Sequence, residues 1–65
     1  MRERIKIWYK DSDTAHTPDE NFVCYARKVE PCGLFWFKRK NDDWYININQ
    51  IKVIHIKPEE RSQND

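Results

Sequence analysis

The sequence predicts a small all-β domain, a five-stranded antiparallel meander that closes into a small barrel or bends strongly. Hydrophobic residues alternate with polar ones along short segments, which is the period of a half-buried strand. Turn-forming residues separate these segments, and no long helix is indicated. Closure would remove the exposed sheet edges that a chain of 65 residues has difficulty protecting.

The first strand is predicted near the N-terminus, where Ile5, Ile7 and Tyr9 alternate with residues facing solvent. A polar connection follows. Within it, residues 17–20 read TPDE, which is typical of a helix start, and at most one helical turn is expected there. Residues 21–30 are predicted as the second strand from their β-branched and aromatic content.

Two tight turns and a brief helical turn delimit the remaining strands. Residues 30–33, EPCG, suit a type I turn with proline second and glycine fourth. Residues 40–43, KNDD, suit a second tight turn between the third and fourth strands. Residues 49–50 allow a helical or 3₁₀ turn before an isoleucine-rich fifth strand, which Pro58 ends.

The turn centres predict which residues face each other. We place residues 31–32 at the centre of the first turn and residues 41–42 at the centre of the second. Opposed residues share a face of a sheet. The pairs expected on one face are Val29 with Leu34, Arg27 with Trp36, Tyr25 with Lys38, Lys38 with Tyr45 and Trp36 with Asn47. Both turns assign the same residues of the third strand to each face, which favours this assignment of the faces.

The division gives the sheet one apolar face and one aromatic and basic face. The apolar face is the predicted core and contains Phe22, Cys24, Ala26, Phe35, Phe37, Trp44, Ile46 and Ile48. The other face contains Val23, Tyr25, Arg27, Leu34, Trp36, Lys38, Tyr45 and Asn47. Cys24 would lie opposite Arg39 while Cys32 sits in a turn, so an intramolecular disulfide would break the register, and free thiols are predicted.

The element order, and above all the segment WYININQIKVIHI, resembles that of the SH3-like and Sm-like small barrels. The segment joins a strand, a one-turn break and a last strand rich in isoleucine. The resemblance spans most of the chain and implies a barrel architecture. It transfers no functional residue, since a fold does not by itself imply a function.

The aromatic and basic face is the candidate binding site. Its predicted residues, with Trp8 added from the polar side of the first strand, are Trp8, Tyr25, Arg27, Trp36, Lys38 and Tyr45. Tryptophan, tyrosine and arginine are preferred anchors of protein interfaces. The same rings and cations could stack bases and hold phosphates. Alternatively, the N-terminal loop or barrel closure covers the face, with Arg27 over Trp36 as a cation–π pair.

We therefore expect a non-catalytic binding module that acts through protein–protein contacts. The partner would be a second copy or a larger target, in the manner of the small accessory and inhibitor proteins of phages and mobile elements. The alternative is single-stranded nucleic-acid or nucleotide binding by the same face. The net charge of +1 and pI near 7.8 match neither a strongly basic DNA binder nor an acidic DNA mimic, although charge can still be sorted onto faces.

No metal site, cofactor or catalytic set is predicted. The potential ligands Cys24, Cys32, His16 and His55 form no Cys-x-x-Cys or His-x-x-x-His pair. DSDT, residues 11–14, lacks the later ligands of a calcium loop and is predicted to be a solvated loop. No Ser/His/Asp or Cys/His arrangement is evident, and a chain this short is expected to have little room for a large concavity.

The chain carries no predicted targeting or membrane-spanning segment. Charged residues interrupt the hydrophobic residues at the N-terminus, unlike the apolar region of a signal peptide, so the cytoplasm is expected. The two thiols suit a reducing compartment. Residues 1–57 are predicted to form a single domain, and residues 58–65 a flexible tail without apolar residues.

Overall fold

The predicted all-β class is confirmed in the computed structural model, which describes residues 2–13 and 16–59. Six strands are present in this part of the chain, in two three-stranded antiparallel sheets. The elements are β1 (Glu3–Tyr9), β2 (Glu20–Cys24), β3 (Ala26–Val29), β4 (Leu34–Lys38), β5 (Asp43–Asn47), a 3₁₀ turn (Ile48–Gln50) and β6 (Ile51–Pro58). The first sheet has the order β2-β1-β6, and the second has the order β3-β4-β5.

Six strands replace the predicted five because the second one is divided at Tyr25. Cys24 ends β2 and pairs with Glu3 in the first sheet, whereas Ala26 begins β3 and pairs with Lys38 in the second. Tyr25 lies at a bend between them and has no ladder partner of its own. One continuous segment therefore serves both sheets, and Cys24 does not lie opposite Arg39 as predicted.

The core lies between the two sheets. Its buried side chains are Ile5, Ile7, Phe22 and Cys24 from the first sheet and Phe35, Phe37 and Ile46 from the second. The alternation predicted for β1 is confirmed, because Ile5 and Ile7 are fully buried and Tyr9 packs against the core. The rings of Phe22 and Phe37 meet edge to face at 5.4 Å, which joins the two sheets through an aromatic contact.

Two residues of the predicted core, Ile48 and Ala26, lie elsewhere, and a third, Trp44, faces the core as predicted but is only partly buried. Ile48 is 40% exposed, because β5 ends at Asn47 and the chain then enters the 3₁₀ turn. Ala26 is half-buried and shares a face with Lys38 rather than with the core. Trp44 is half-buried and packs at the margin of the core.

The hairpin between β3 and β4 has the predicted turn but not the predicted register. The Gly33 N–H donates to the Glu30 carbonyl at 3.0 Å, which closes a four-residue turn over Pro31 and Cys32. The Glu30 N–H then donates to the Leu34 carbonyl at 2.7 Å, so Gly33 is an extra residue outside the pairing. Its φ of +91° favours glycine. The register of β3 against β4 therefore shifts by one residue, and β3 is inverted relative to the prediction.

The hairpin between β4 and β5 also differs in register, but its faces are as predicted. The Arg39 N–H donates to the Asp42 carbonyl at 2.9 Å, which leaves Lys40 and Asn41 as the connection instead of residues 41–42. Trp36 consequently faces Tyr45 rather than Asn47. The shift is two residues, and a shift of two keeps each side chain on the same side of the sheet.

The two predicted helical turns have different outcomes. The 3₁₀ turn Ile48–Gln50 is present, and the Asn47 side chain accepts the Asn49 N–H at 2.9 Å at its start. No helical turn forms at residues 17–20, where Glu20 already begins β2. Instead, the Asp19 carboxylate accepts the Tyr9 N–H at 2.8 Å and the Ser12 hydroxyl at 2.7 Å. Part of the DSDT segment, Thr14, lies outside the described residues.

β6 runs through Pro58, and the Glu59 N–H donates to the Arg2 carbonyl at 3.0 Å. The pairing of the two chain ends thus reaches two residues, Pro58 and Glu59, into the segment predicted as a tail. Residues 60–65 of that segment lie outside the described residues. Between residues 2 and 59, excepting 14–15, no helix has the length and apolar character needed to cross a membrane.

Candidate functional site

Each sheet has an outer side facing away from the core, and the two sides differ in composition. The outer side of the second sheet, here called the aromatic face, comprises Ala26, Lys28, Leu34, Trp36, Lys38, Asp43, Tyr45 and Asn47. The outer side of the first sheet, here called the basic face, comprises Arg4, Lys6, Trp8, Asn21, Val23, Val53, His55 and Lys57. Both follow from alternation, since every second residue of a strand points away from the core.

Trp36 lies at the centre of the aromatic face. It is on the middle strand, between Lys28 on β3 and Tyr45 on β5. Trp36 is half-buried, and Tyr45 is 62% exposed. The described residues therefore do not cover this face at Tyr45, which disfavours the alternative in which the N-terminal loop or barrel closure hides the rings.

Charge on the aromatic face is balanced. The Lys28 ammonium lies 3.8 Å from the Glu30 carboxylate, and Lys38 lies directly opposite Asp43 in the ladder. Each lysine thus has an acidic neighbour close at hand, and the centre between them consists of Leu34, Trp36 and Tyr45. The face is aromatic and close to neutral rather than aromatic and basic.

Three of the six predicted binding residues share this face, namely Trp36, Lys38 and Tyr45. Tyr25 lies at the bend, 37% exposed, and its N–H donates to the Lys38 carbonyl at 2.8 Å. It is therefore joined to the end of the aromatic face through the backbone. Trp8 lies on the basic face, on the opposite side of the core.

Arg27 does not belong to the aromatic face, and this corrects the prediction. The one-residue shift places it opposite Phe37, on the side that faces the core, and Lys28 takes the place beside Trp36. The Arg27 Nε donates to Glu3 Oε1 at 2.8 Å, so the pair connects β3 of the second sheet with β1 of the first. This hydrogen bond raises the pKa of the Arg27 guanidinium.

The cation–π contacts are formed by Arg39 instead of by Arg27. The Arg39 guanidinium carbon lies 4.5 Å from the centre of the Trp44 ring and 5.0 Å from that of Phe22. Asp42 holds both partners: its Oδ1 is 3.6 Å from Arg39 Nε, and its Oδ2 accepts the Trp44 Nε1–H at 3.3 Å. Arg39 and Asp42 therefore cover the margin of the core where Trp44 is half-exposed.

The basic face contains a groove that the sequence reading did not predict. It has a volume of about 590 Å³ and is lined by Arg4, Lys6, Asn21, Lys57, Pro58 and Glu59. The expectation that so short a chain lacks room for a large concavity is therefore wrong for this open surface groove. The signal was present in the alternation of Arg4, Lys6 and Trp8, but the groove also needs β6 beside β1, from the other end of the chain.

Within the groove, Arg4 is fixed and the two lysines are not. The Arg4 guanidinium donates to Asn21 Oδ1 at 3.5 Å and to Glu59 Oε2 at 3.4 Å. Lys6 and Lys57 form no ion pair with another described residue. His55 lies beside them, directly opposite Lys6 in the ladder. The groove is therefore a site of positive charge that the described chain only partly neutralises.

The cysteines and histidines do not converge. Cys24 is buried, and burial raises the pKa of its thiol, with Glu3 as a smaller cause; Cys32 is exposed in the first turn. Both thiols are free. In the described part of the chain, no three histidine, cysteine, aspartate or glutamate side chains lie close enough together to hold a metal ion.

Comparisons with known proteins do not assign the chain to a family. No family model matches it, and neither a curated protein nor a solved structure does so.

Proposed function

We propose that this chain is a non-catalytic binding module that acts through protein–protein contacts at its aromatic face. The observation that carries the proposal is the adjacency of Trp36 and Tyr45 on a face whose charges are balanced. A cytoplasmic setting is part of the proposal, because two free thiols, one of them exposed, suit a reducing compartment.

The residue types of the aromatic face favour a protein partner. Tryptophan and tyrosine contribute large areas of contact with little loss of conformational freedom, and they dominate the energetics of many interfaces. Lys28 and Lys38 lie at the flanks beside Glu30 and Asp43, where a polar rim would lie around an apolar centre. A partner could therefore cover Trp36 while the lysines and their acidic neighbours stay in the rim.

The size of the face indicates that it supplies the centre of an interface. Three strands of four or five residues span roughly 14 by 17 Å, or about 240 Å². A standard interface buries about 800 Å² on each partner. The surrounding turns must therefore contribute the rim, or the complex is transient. In both cases Trp36 is expected to carry much of the binding free energy.

Nucleic-acid binding by the same face has less support. Phosphate recognition needs cations that are free to exchange their counterions. Lys28 has Glu30 within 3.8 Å, Lys38 faces Asp43, and Arg27 is bound to Glu3 away from this face. The aromatic face keeps the rings required for base stacking but lacks surplus positive charge.

The test begins with self-association, measured as mass by light scattering over a concentration series. A mass that rises with concentration identifies a second copy as the partner, and a constant monomer mass directs the search to a pull-down from the native host. Trp36→Ala is expected to weaken the association by more than tenfold. Circular dichroism should show an intact fold, with a stability loss of about 1 kcal/mol.

Trp8→Ala is the matched control, since it removes the same side chain from the opposite face. It should leave the protein association unchanged. Equal losses in the two variants would contradict the proposed interface. Unfolding of Trp36→Ala would contradict the assignment of Trp36 to an outer face.

We also propose that the two sheets close into a small barrel of the SH3-like or Sm-like kind. The chain passes from β2 to β3 through Tyr25 alone and from β5 to β6 through one 3₁₀ turn, so two corners already connect the sheets. NMR contacts between backbone protons that continue across both corners would support closure. Open gaps between the sheets at both corners would contradict it.

A further inference from the structure

The basic face concentrates positive charge that the composition of the chain does not reveal. Its ladder positions include Arg4, Lys6 and Lys57 and no acidic residue, while Glu59, next to the ladder, lines the groove and pairs with Arg4. The whole chain has a formal charge of +1, so removing these three cations leaves −2 for the remainder. Such an asymmetric distribution steers polyanions toward one side of a protein even when its net charge is small.

The geometry of the face suits an extended polymer rather than a single ion. β1 is the middle strand of the first sheet, so Arg4, Lys6 and Trp8 follow one another along the midline. Alternate residues of a strand are about 6.6 Å apart. Lys57 lies opposite Arg4, which widens the positive area over the groove.

The two lysines of the groove are available to a ligand. Neither pairs with an acid in the described residues, whereas Arg4 is held by Asn21 and Glu59. The Arg4 guanidinium is thus held in one orientation in the lining of the groove. The ammonium groups of Lys6 and Lys57 can exchange their counterions for phosphates.

Trp8 distinguishes among anionic partners. It lies on the same midline, two residues beyond Lys6, and opposite Val53, which is 50% exposed. A half-buried indole beside cations offers a stacking surface for a base. An acidic peptide or an anionic lipid headgroup would use the lysines, but only a nucleic acid carries a flat ring with every phosphate.

We propose that the basic face binds single-stranded nucleic acid. Lys6 and Lys57 contact phosphates in and beside the groove, Arg4 keeps its pair with Glu59, and Trp8 stacks on a base. The proposal is independent of the aromatic face, which lies on the other side of the core. The two surfaces would allow one small module to hold a protein and a nucleic-acid strand at once.

The test uses the full chain and a fluorescein-labelled 20-nucleotide oligothymidylate, followed by fluorescence anisotropy. Two phosphate contacts on a single strand give a logarithmic salt slope of about −1.4, so raising the salt from about 50 to 200 mM should weaken binding about sevenfold. Trp36→Ala should leave this binding unchanged.

The decisive variant is the double substitution of Lys6→Gln and Lys57→Gln. It should lower affinity at about 50 mM salt on the order of 50-fold and make the salt slope shallower by about 1.4. The control, Lys28→Gln with Lys40→Gln, removes the same charge from the second sheet and its turn, and it should change affinity less than about threefold. Thermal denaturation checks that both variants fold.

Trp8→Leu tests the stacking contact separately. Leucine keeps apolar bulk on β1 but provides no ring, so affinity should fall about fivefold or more while the salt slope stays the same. The proposal is overturned if the oligonucleotide does not bind at about 50 mM salt. It is also overturned if the control double variant loses as much affinity, or if polyglutamate or phosphatidylserine vesicles bind more tightly than the oligonucleotide.

Discussion

The two outer faces use the same alternating pattern, yet one is neutral and the other positive. On the aromatic face, Lys28 and Lys38 each lie near a carboxylate, whereas on the basic face Lys6 and Lys57 have no acidic partner among the described residues. Each face has one tryptophan, Trp36 or Trp8. The comparison teaches that the surroundings of an exposed ring, and not the ring itself, indicate the class of partner.

The largest expected effect is the loss of the core that supports both faces. Phe37 is fully buried between the sheets and contacts Phe22. Phe37→Ala should lower the free energy of unfolding by about 3–5 kcal/mol, because it leaves a cavity in the core that supports both surfaces. Urea denaturation followed by tryptophan fluorescence measures the change. A loss below about 1 kcal/mol would show that the sheets do not depend on this core.

The rates at which a reagent modifies the two thiols compare the core with the turn next to the aromatic face. Cys32 is exposed in the first turn, whereas Cys24 is buried and has a raised thiol pKa. A thiol reagent should modify one cysteine at once and the second on the order of 10³-fold more slowly, because the second must await opening of the core. Cys32→Ser should abolish only the fast phase. Two fast thiols would contradict the placement of Cys24.

A double-mutant cycle on Glu3 and Arg27 asks whether the faces are coupled. This ion pair joins the first sheet to the second, but 41% of the Arg27 side chain is exposed. Solvent screening should therefore limit the coupling free energy to about 0.5–1 kcal/mol. Glu3→Gln, Arg27→Gln and the double variant supply the cycle from urea denaturation. Additive effects would show that the pair does not hold the sheets together.

The smallest expected effect is a pH-dependent change in stability that arises at the end of the first sheet alone. The Ser12 hydroxyl, and then the Tyr9 N–H, lower the pKa of Asp19 below the unfolded value of 3.8. The carboxylate therefore stabilises the fold above that value, and its contribution disappears as the pH falls through the lower native pKa. The stability difference between the wild type and Asp19→Asn should be the same at all pH values above about 5 and should shrink as the pH falls below about 4. A constant difference would contradict this role.

The sequence predicts the parts of the fold that depend on local pattern. Alternation identifies Ile5, Ile7 and Phe37 as core residues, and the residues of the first turn identify that turn correctly. The inner and outer sides of β4 and β5 are also predicted correctly. Their register error is two residues, which leaves every side chain on its own side.

The predictions from sequence are wrong where a single residue sets the register or where two strands distant in the chain pair. Counting Gly33 as part of the pairing inverts β3 and assigns Arg27 to the wrong side. The bend at Tyr25 sends half of the predicted second strand to another sheet. The groove of the basic face requires β6 beside β1, and no turn connects these two strands, so the turn rules could not place them together.

Gly33 also has a consequence for how such a chain can change by insertion and deletion. An added methyl at Gly33 would meet only Ile48 Cγ2, at 3.6 Å, so the position tolerates volume and is restricted by its backbone angle. Deleting Gly33 would instead leave a two-residue connection over Pro31 and Cys32. Glu30 would still face Leu34, so Lys28 would remain beside Trp36 and Arg27 beside Phe37. The loss of a single codon would thus shorten the turn without changing which cation lies beside the central ring.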